Sequence, residues 1–158
     1  MTSTITLLRQ LEALVQEEIG AQSRLQALLE RQDEALRTHV PERMLSAAHA
    51  LDGELAPSAQ RAQRRVEIVA ALARAWGIAP SALTLSSIVR RSGDEGERLA
   101  RQKPELERIA RGVQKLARRS AIAARYHQRL TAEVVQAVLV QADGVRVLDG
   151  GALVDAEA

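Results

Sequence analysis

The chain has 158 residues, 46% of them apolar and 27% charged, with no cysteine, no phenylalanine, one tryptophan and one tyrosine. That length suits one modest domain, the apolar fraction excludes a disordered chain, and no uncharged apolar run is long enough to span a bilayer. Without cysteine there is no disulfide framework, thiol nucleophile or thiolate metal site, and 22 Lys and Arg against 20 Asp and Glu leave a net charge of +2, poor grounds for a nucleic-acid partner. A core without phenylalanine is built from leucine, isoleucine, valine and alanine, which pack well between closely spaced helices but fill a thick globule poorly. Glu12, Glu17 and Glu18 interrupt the opening segment where a signal peptide needs an unbroken apolar stretch, so the expected location is cytoplasmic.

Residues 5–39 carry a helical pattern. Leu7, Leu11, Leu14, Ala21, Leu25, Leu28 and Ala35 follow a heptad-like seam, flanked by Leu8, Val15, Ile19, Leu29 and Leu36. The spacing predicts one amphipathic helix of about 50 Å, capped by Thr2, Ser3 or Thr4, with Glu12, Glu17, Glu18 and Glu30 on the opposite, solvated flank. Gly20 costs about 1 kcal/mol without ending it. Pro41 breaks or kinks it, having no amide donor and pushing Val40 out of the α region. A shorter segment, 42–51, then leads to the breakers Asp52, Gly53 and Pro57. A second strong helix is predicted from Ser58 as N-cap to Trp76, with Ala62, Val66, Val69, Leu72 and Ala73 inward, Ile68 beside them, and Gly77 as its stop. Residues 78–91 read as a turn and a short helix carrying Leu83, Leu85, Ile88 and Val89; residues 92–96 read as a loop.

The last regular element is another long helix, nucleated near Asp94 or at Pro104 and running to about Gln141. Ile109, Val113, Leu116, Ala123, Leu130, Val134, Ala137 and Val138 form its main stripe, and Ile122, Tyr126, Val135 and Leu139 widen that stripe toward the C-terminal half. That half carries more apolar surface than one neighbouring helix covers. Residues 142–158 hold two valine-leucine runs around Gly150 and Gly151 and read as a flexible tail or a small hairpin.

Signals for chemistry are sparse. His39, His49 and His127 are far apart in sequence, His49 with Asp52 reads as a surface pair, and neither a glycine-rich phosphate loop nor a nucleophile elbow occurs. No catalytic residue, metal ligand or cofactor is expected. Residues 71–91 resemble a helix-turn-helix unit that would aim Ser81, Thr84, Ser87 and Arg91 at a DNA groove, the alternative functional reading. Lys115, Arg118, Arg119, Arg125 and Arg129 make a basic cluster along the last helix, a solvated face or an acidic docking surface. The feature with most weight is the apolar flank of Tyr126, His127, Leu130, Val134, Val135, Val138 and Leu139. It is either core, a homodimer seam, or a groove-type surface for a partner helix.

Two long terminal helices, a middle helix ending in Arg-x-x-Ile-Val-x-x-Leu-Ala-x-x-Trp-Gly over residues 65–77, and Thr-Leu-x-x-Ile over residues 84–88 together resemble the FlgN family of flagellar export chaperones. The leucine-rich opening helix, residues 7–36, and a closing long helix with a short glycine-containing tail add to the similarity. The resemblance implies an all-α fold, an elongated antiparallel hairpin or coiled-coil-like bundle with two long terminal helices and shorter middle ones, in a single chaperone domain over residues 1–141. It also implies a cytoplasmic, non-enzymatic protein that holds the C-terminal helical regions of hook-associated proteins and delivers them to the type III export apparatus. In that family the final helix binds the client. The family's Asn-x-x-Asn-x-x-Leu patch falls here on Ala124, His127 and Leu130, of which only the leucine is kept.

Overall fold

The computed structural model describes the backbone of residues 3–154 and the side chains of residues 3–138. Five α-helices account for nearly all of it: α1 (Thr4–Thr38), α2 (Pro41–Leu55), α3 (Ser58–Trp76), α4 (Leu85–Ser92) and α5 (Glu97–Val154), with short 3-10 turns at Pro80–Ala82 and Gly93–Gly96. No strand occurs among the described residues, and the all-α bundle expected from the periodicity is what forms. The chain divides into two units, Met1–Ser120 and Ala121–Ala158, the second formed from the remainder of α5.

Local chemistry sets the helix ends. Ser3 stands at the N-cap of α1 in extended backbone, but its side chain makes no capping hydrogen bond. At the other end His39 takes the left-handed region at φ 54°, Val40 is extended, and Pro41 opens α2 in its first turn. There its missing amide is no loss, since first-turn amides lack intrahelical partners. Asp52 and Gly53 lie inside α2 rather than in a loop. Ala56 and Pro57 are both already in the right-handed region, and the Arg61 amide donates to the Pro57 carbonyl at 3.2 Å. Consequently Pro57, not Ser58, occupies the N-cap position, and no extended residue remains there for a side-chain cap. At the end of α3 the Ile78 amide donates to the Ala73 carbonyl at 2.9 Å and the Gly77 amide to Arg74 at 3.3 Å, a Schellman closure that needs the left-handed backbone of Gly77 at φ 65°. The predicted loop at 92–96 is instead a 3-10 turn that runs directly into α5, and Pro104 is carried inside that helix.

Within the first unit, cross-helix bonds fix the pairing. Arg24 meets Glu54 at 3.0 Å, Glu18 meets Arg61 at 3.0 Å and Glu17 meets Arg64 at 2.7 Å. Numbers falling on α1 thus rise along α2 and α3, which lie antiparallel to it in succession. The start of α5 behaves differently. Gln102 donates to Gln16 at 3.1 Å, Arg98 faces Glu12 at 3.9 Å, Arg119 pairs with Asp33 at 3.2 Å, and Gly112 sits against Gln26. Each pair shares the 86-residue separation of Gln102 and Gln16. A constant offset means that α5 runs parallel to α1. The antiparallel partner of α1 is therefore the α2–α3 succession, not the other long helix, giving an up-down-up bundle around α1.

This central place explains why α1 buries two flanks. Leu7, Leu8, Leu11, Leu14, Val15, Ile19, Leu29 and Leu36 are all buried, joined by Leu51, Leu72, Ile88, Leu99, Ile109 and Val113 from the other elements. Leu72, Ile88 and Leu99 are enclosed most completely. One inward assignment fails: Val66 is 59% exposed. It borders an open apolar cleft of about 470 Å3, walled by Leu11, Val15, Val69, Leu83 and Leu85, that no neighbouring side chain fills.

Candidate partner-binding surface

The main stripe of α5 is a regular heptad seam whose environment changes along its length. Ile109 and Val113 are buried, Leu116 is half-buried, and Ser120 is buried at the last residue of the first unit. Beyond it Ile122, Tyr126, Leu130, Val134, Val135 and Val138 are exposed, Tyr126 by 64%, Leu130 by 42% and Val134 by 56%. In the first unit the seam lies along α1, and the constant offset of 86 residues holds as far as the pair of Asp33 and Arg119.

Tyr126, Leu130, Val134 and Val138 recur every four residues, so successive side chains stand about 6 Å apart on a slowly turning strip. His127, half-buried, sets its ring edge-to-face against Tyr126, with centroids 6.2 Å apart at 75°. Val135 is turned about 100° from Val134 and forms one margin of the strip. The seventh residue singled out from the sequence, Leu139, lies outside the described side chains. Ile122, 68% exposed, belongs to the same strip and was legible as part of the apolar flank. The margins carry Arg125, Arg129 and Glu133, all exposed. Such a strip has the chemistry for a partner helix: apolar side chains at four-residue intervals bordered by charge. Of residues 142–158, considered for a flexible tail or a small hairpin, 142–154 continue the backbone of α5 and the rest lie outside the described residues.

The polar features divide differently from the sequence expectation. Glu17 and Glu18 do not sit on a merely solvated face, since both pair with α3. Arg61 is 7% exposed, and its guanidinium donates to Glu18 at 3.0 Å. Burial alone would raise the Glu18 pKa. Hydrogen bonds from Gln22 and Arg61, with the fields of Arg61 and Arg65, outweigh burial and hold the carboxyl below its ordinary value. Among the described residues no group of three or more His, Cys, Asp and Glu side chains is placed to hold a metal ion.

The helix-turn-helix geometry is not met. Residues 77–84 separate α3 from α4, against the three or four residues of that motif's turn, and α4 has only 8 residues. Thr84 and Ser87, expected to face a groove, instead satisfy each other: the Ser87 amide donates to Thr84 Oγ1 at 3.1 Å and the Thr84 amide to Ser87 Oγ at 2.8 Å. Arg91 places its guanidinium 5.8 Å from the centre of the Trp76 ring, a cation–π contact within the fold.

The described residues form an all-helical bundle whose last helix carries an exposed apolar strip. The chain belongs to the FlgN family: the family model described as FlgN protein matches residues 1–147. That is a family of flagellar export chaperones, not of enzymes. No curated protein and no solved structure matches the chain. Among the described residues no helix is long and apolar enough to cross a membrane.

Proposed function

We propose that this chain is a cytoplasmic chaperone that holds the C-terminal helical regions of hook-associated proteins and hands them to the flagellar type III export apparatus. The client lies along α5, on Tyr126, His127, Leu130, Val134, Val135, Val138 and Leu139. The observation that carries the reading is the exposed apolar strip of α5, with Tyr126, Leu130, Val134 and Val138 at four-residue spacing. Residues 1–141 form the working domain, with the first unit as the scaffold and residues 121–141 as the client-binding part. Client segments with apolar stripes self-assemble if left bare; covering them with a helix face blocks that assembly while leaving the client extended enough for export. Ordering the client offsets much of the gain from burial, so affinity is moderate and release reversible, with no nucleotide needed for holding. When no client is present, the same strip pairs with a second copy.

Titration calorimetry of the full chain against a peptide from the C-terminal helical region of a hook-associated protein tests this, with a scrambled peptide as control. The expected result is saturable binding with a negative heat-capacity change, the signature of buried apolar surface. Absence of heat and of any complex by light scattering overturns the client assignment. Light scattering of the free protein tests the second copy: a mass that falls toward that of one chain when client is added is expected.

A further inference from the structure

We propose that Arg108, Arg111, Lys115 and Arg118 of α5 form a docking strip for a helical segment of a partner protein that carries carboxylates at matching three- and four-residue spacing. All four are exposed and lie in the first unit, on the side of α5 opposite the buried Ile109 and Val113. Their spacing of three, four and three residues lines them up over about 15 Å of helix. No acidic residue occurs between Glu107 and Glu133 to interleave with them.

What sets the row apart is its regular spacing on one face with no interleaved carboxylate. Arg24, Arg37, Arg61, Arg64, Arg101, Lys103 and Arg119 each meet a carboxylate within the fold, whereas Arg9, Arg31, Arg43, Arg65, Arg74 and Arg90, scattered over other elements, and Arg125 and Arg129, in the second unit, do not among the described residues. Among the described residues none of the four row cations makes such a pair. Glu107, one turn before Arg111, feels its field, but that carboxylate is already bonded to Lys103 at 2.9 Å. Like charges three and four residues apart on a helix repel one another, so the row weakens α5 unless an external anion neutralises it.

Charge complementarity selects the occupant. Three of the four cations are arginines, whose planar forks match carboxylates bidentately. Helix-borne carboxylates at the same spacing reach all four at once, as charged flanks do between paired helices. A bilayer is a poorer fit, because no large apolar side chain is exposed between Arg108 and Arg118 to anchor the row. Nucleic acid is a poorer fit as well, because no aromatic side chain interleaves the row for base stacking and the net charge of the chain is only +2.

The test is fluorescence anisotropy with the full-length protein and a labelled alanine-rich helical peptide bearing glutamates at three-, four- and three-residue spacing. A peptide of identical composition with its glutamates spread round the helix is the control. Saturable binding of the row peptide is expected, falling as salt is raised. Each pair is worth about a factor of two, so the variant R108Q/R111Q/K115Q/R118Q is expected to bind about tenfold more weakly. That variant should keep its helicity and melt no lower than the parent, since repulsion has been relieved. If it loses helicity, K115Q/R118Q carries the same test with about a fourfold loss. Equal binding of the two peptides, unchanged affinity in the variants, or tighter binding of phosphatidylglycerol vesicles or single-stranded RNA than of the row peptide overturns the proposal.

Discussion

Replacing Leu130 and Val134 together by aspartate separates a client surface from a core. Leu130 is 42% exposed and Val134 56%, so roughly half of each side chain is still open to a partner. Full burial of such a side chain stabilises by about 1.5–3 kcal/mol, which leaves about 1 kcal/mol apiece to be gained on binding. Each introduced carboxylate adds at least about 1 kcal/mol when pressed against an apolar client without a partner. The sum, about 4 kcal/mol, corresponds to about a thousandfold rise in Kd. Stability should change little, because substitutions at exposed positions stay within about 0.5 kcal/mol each, and a total near 1 kcal/mol moves Tm by about 2–4 °C for a chain of this size. Calorimetry against the client peptide reads the first quantity and circular-dichroism melting the second. Binding within about threefold of the parent would place the client elsewhere. A fall in Tm beyond about 10 °C would mean that these side chains are core in solution.

Three further outcomes check the bundle. Leu99→Ala, at a position with 0% exposure, is expected to cost about 2–5 kcal/mol in a urea melt, with client affinity unchanged once the protein is folded. Because the folded-state pKa of Glu18 lies below the ordinary carboxylate value of 4.5, its contribution to stability is present above about pH 4.5 and is lost as the pH falls through the folded value. Arg61→Met should therefore lower the unfolding free energy from a urea melt at neutral pH by about 1–3 kcal/mol, given the part exposure of Glu18, and flatten the acid limb; an unchanged acid limb would show that the pair is not the cause. Two glycines should respond with opposite signs. Gly77→Ala puts a side chain at φ 65° and is expected to cost about 1 kcal/mol, whereas Gly53→Ala, inside α2 with nothing within 4 Å of an added Cβ, is expected to gain about 0.5–1 kcal/mol, both read as Tm shifts.

The sequence by itself determined where the helices run and which stripe of each is apolar, because helix periodicity and end signals act over only a few residues. The seam of α1, the break before Pro41, the stop at Gly77 and the apolar surplus on the second half of α5 were all readable there. Asp52 and Gly53 misled because their breaker tendency is worth only about 1 kcal/mol per residue, which packing of Leu51 overrides. Tertiary structure alone decided what covers each stripe. A stripe on one helix carries no mark of its partner, and the same pattern serves parallel and antiparallel pairing. Hence the parallel course of α1 and α5, the exposure of Val66, and the burial of Arg61 with Glu18 were not legible. The exposure of Leu130 and Val134 was equally illegible, because an apolar stripe reads the same whether or not a neighbouring element covers it.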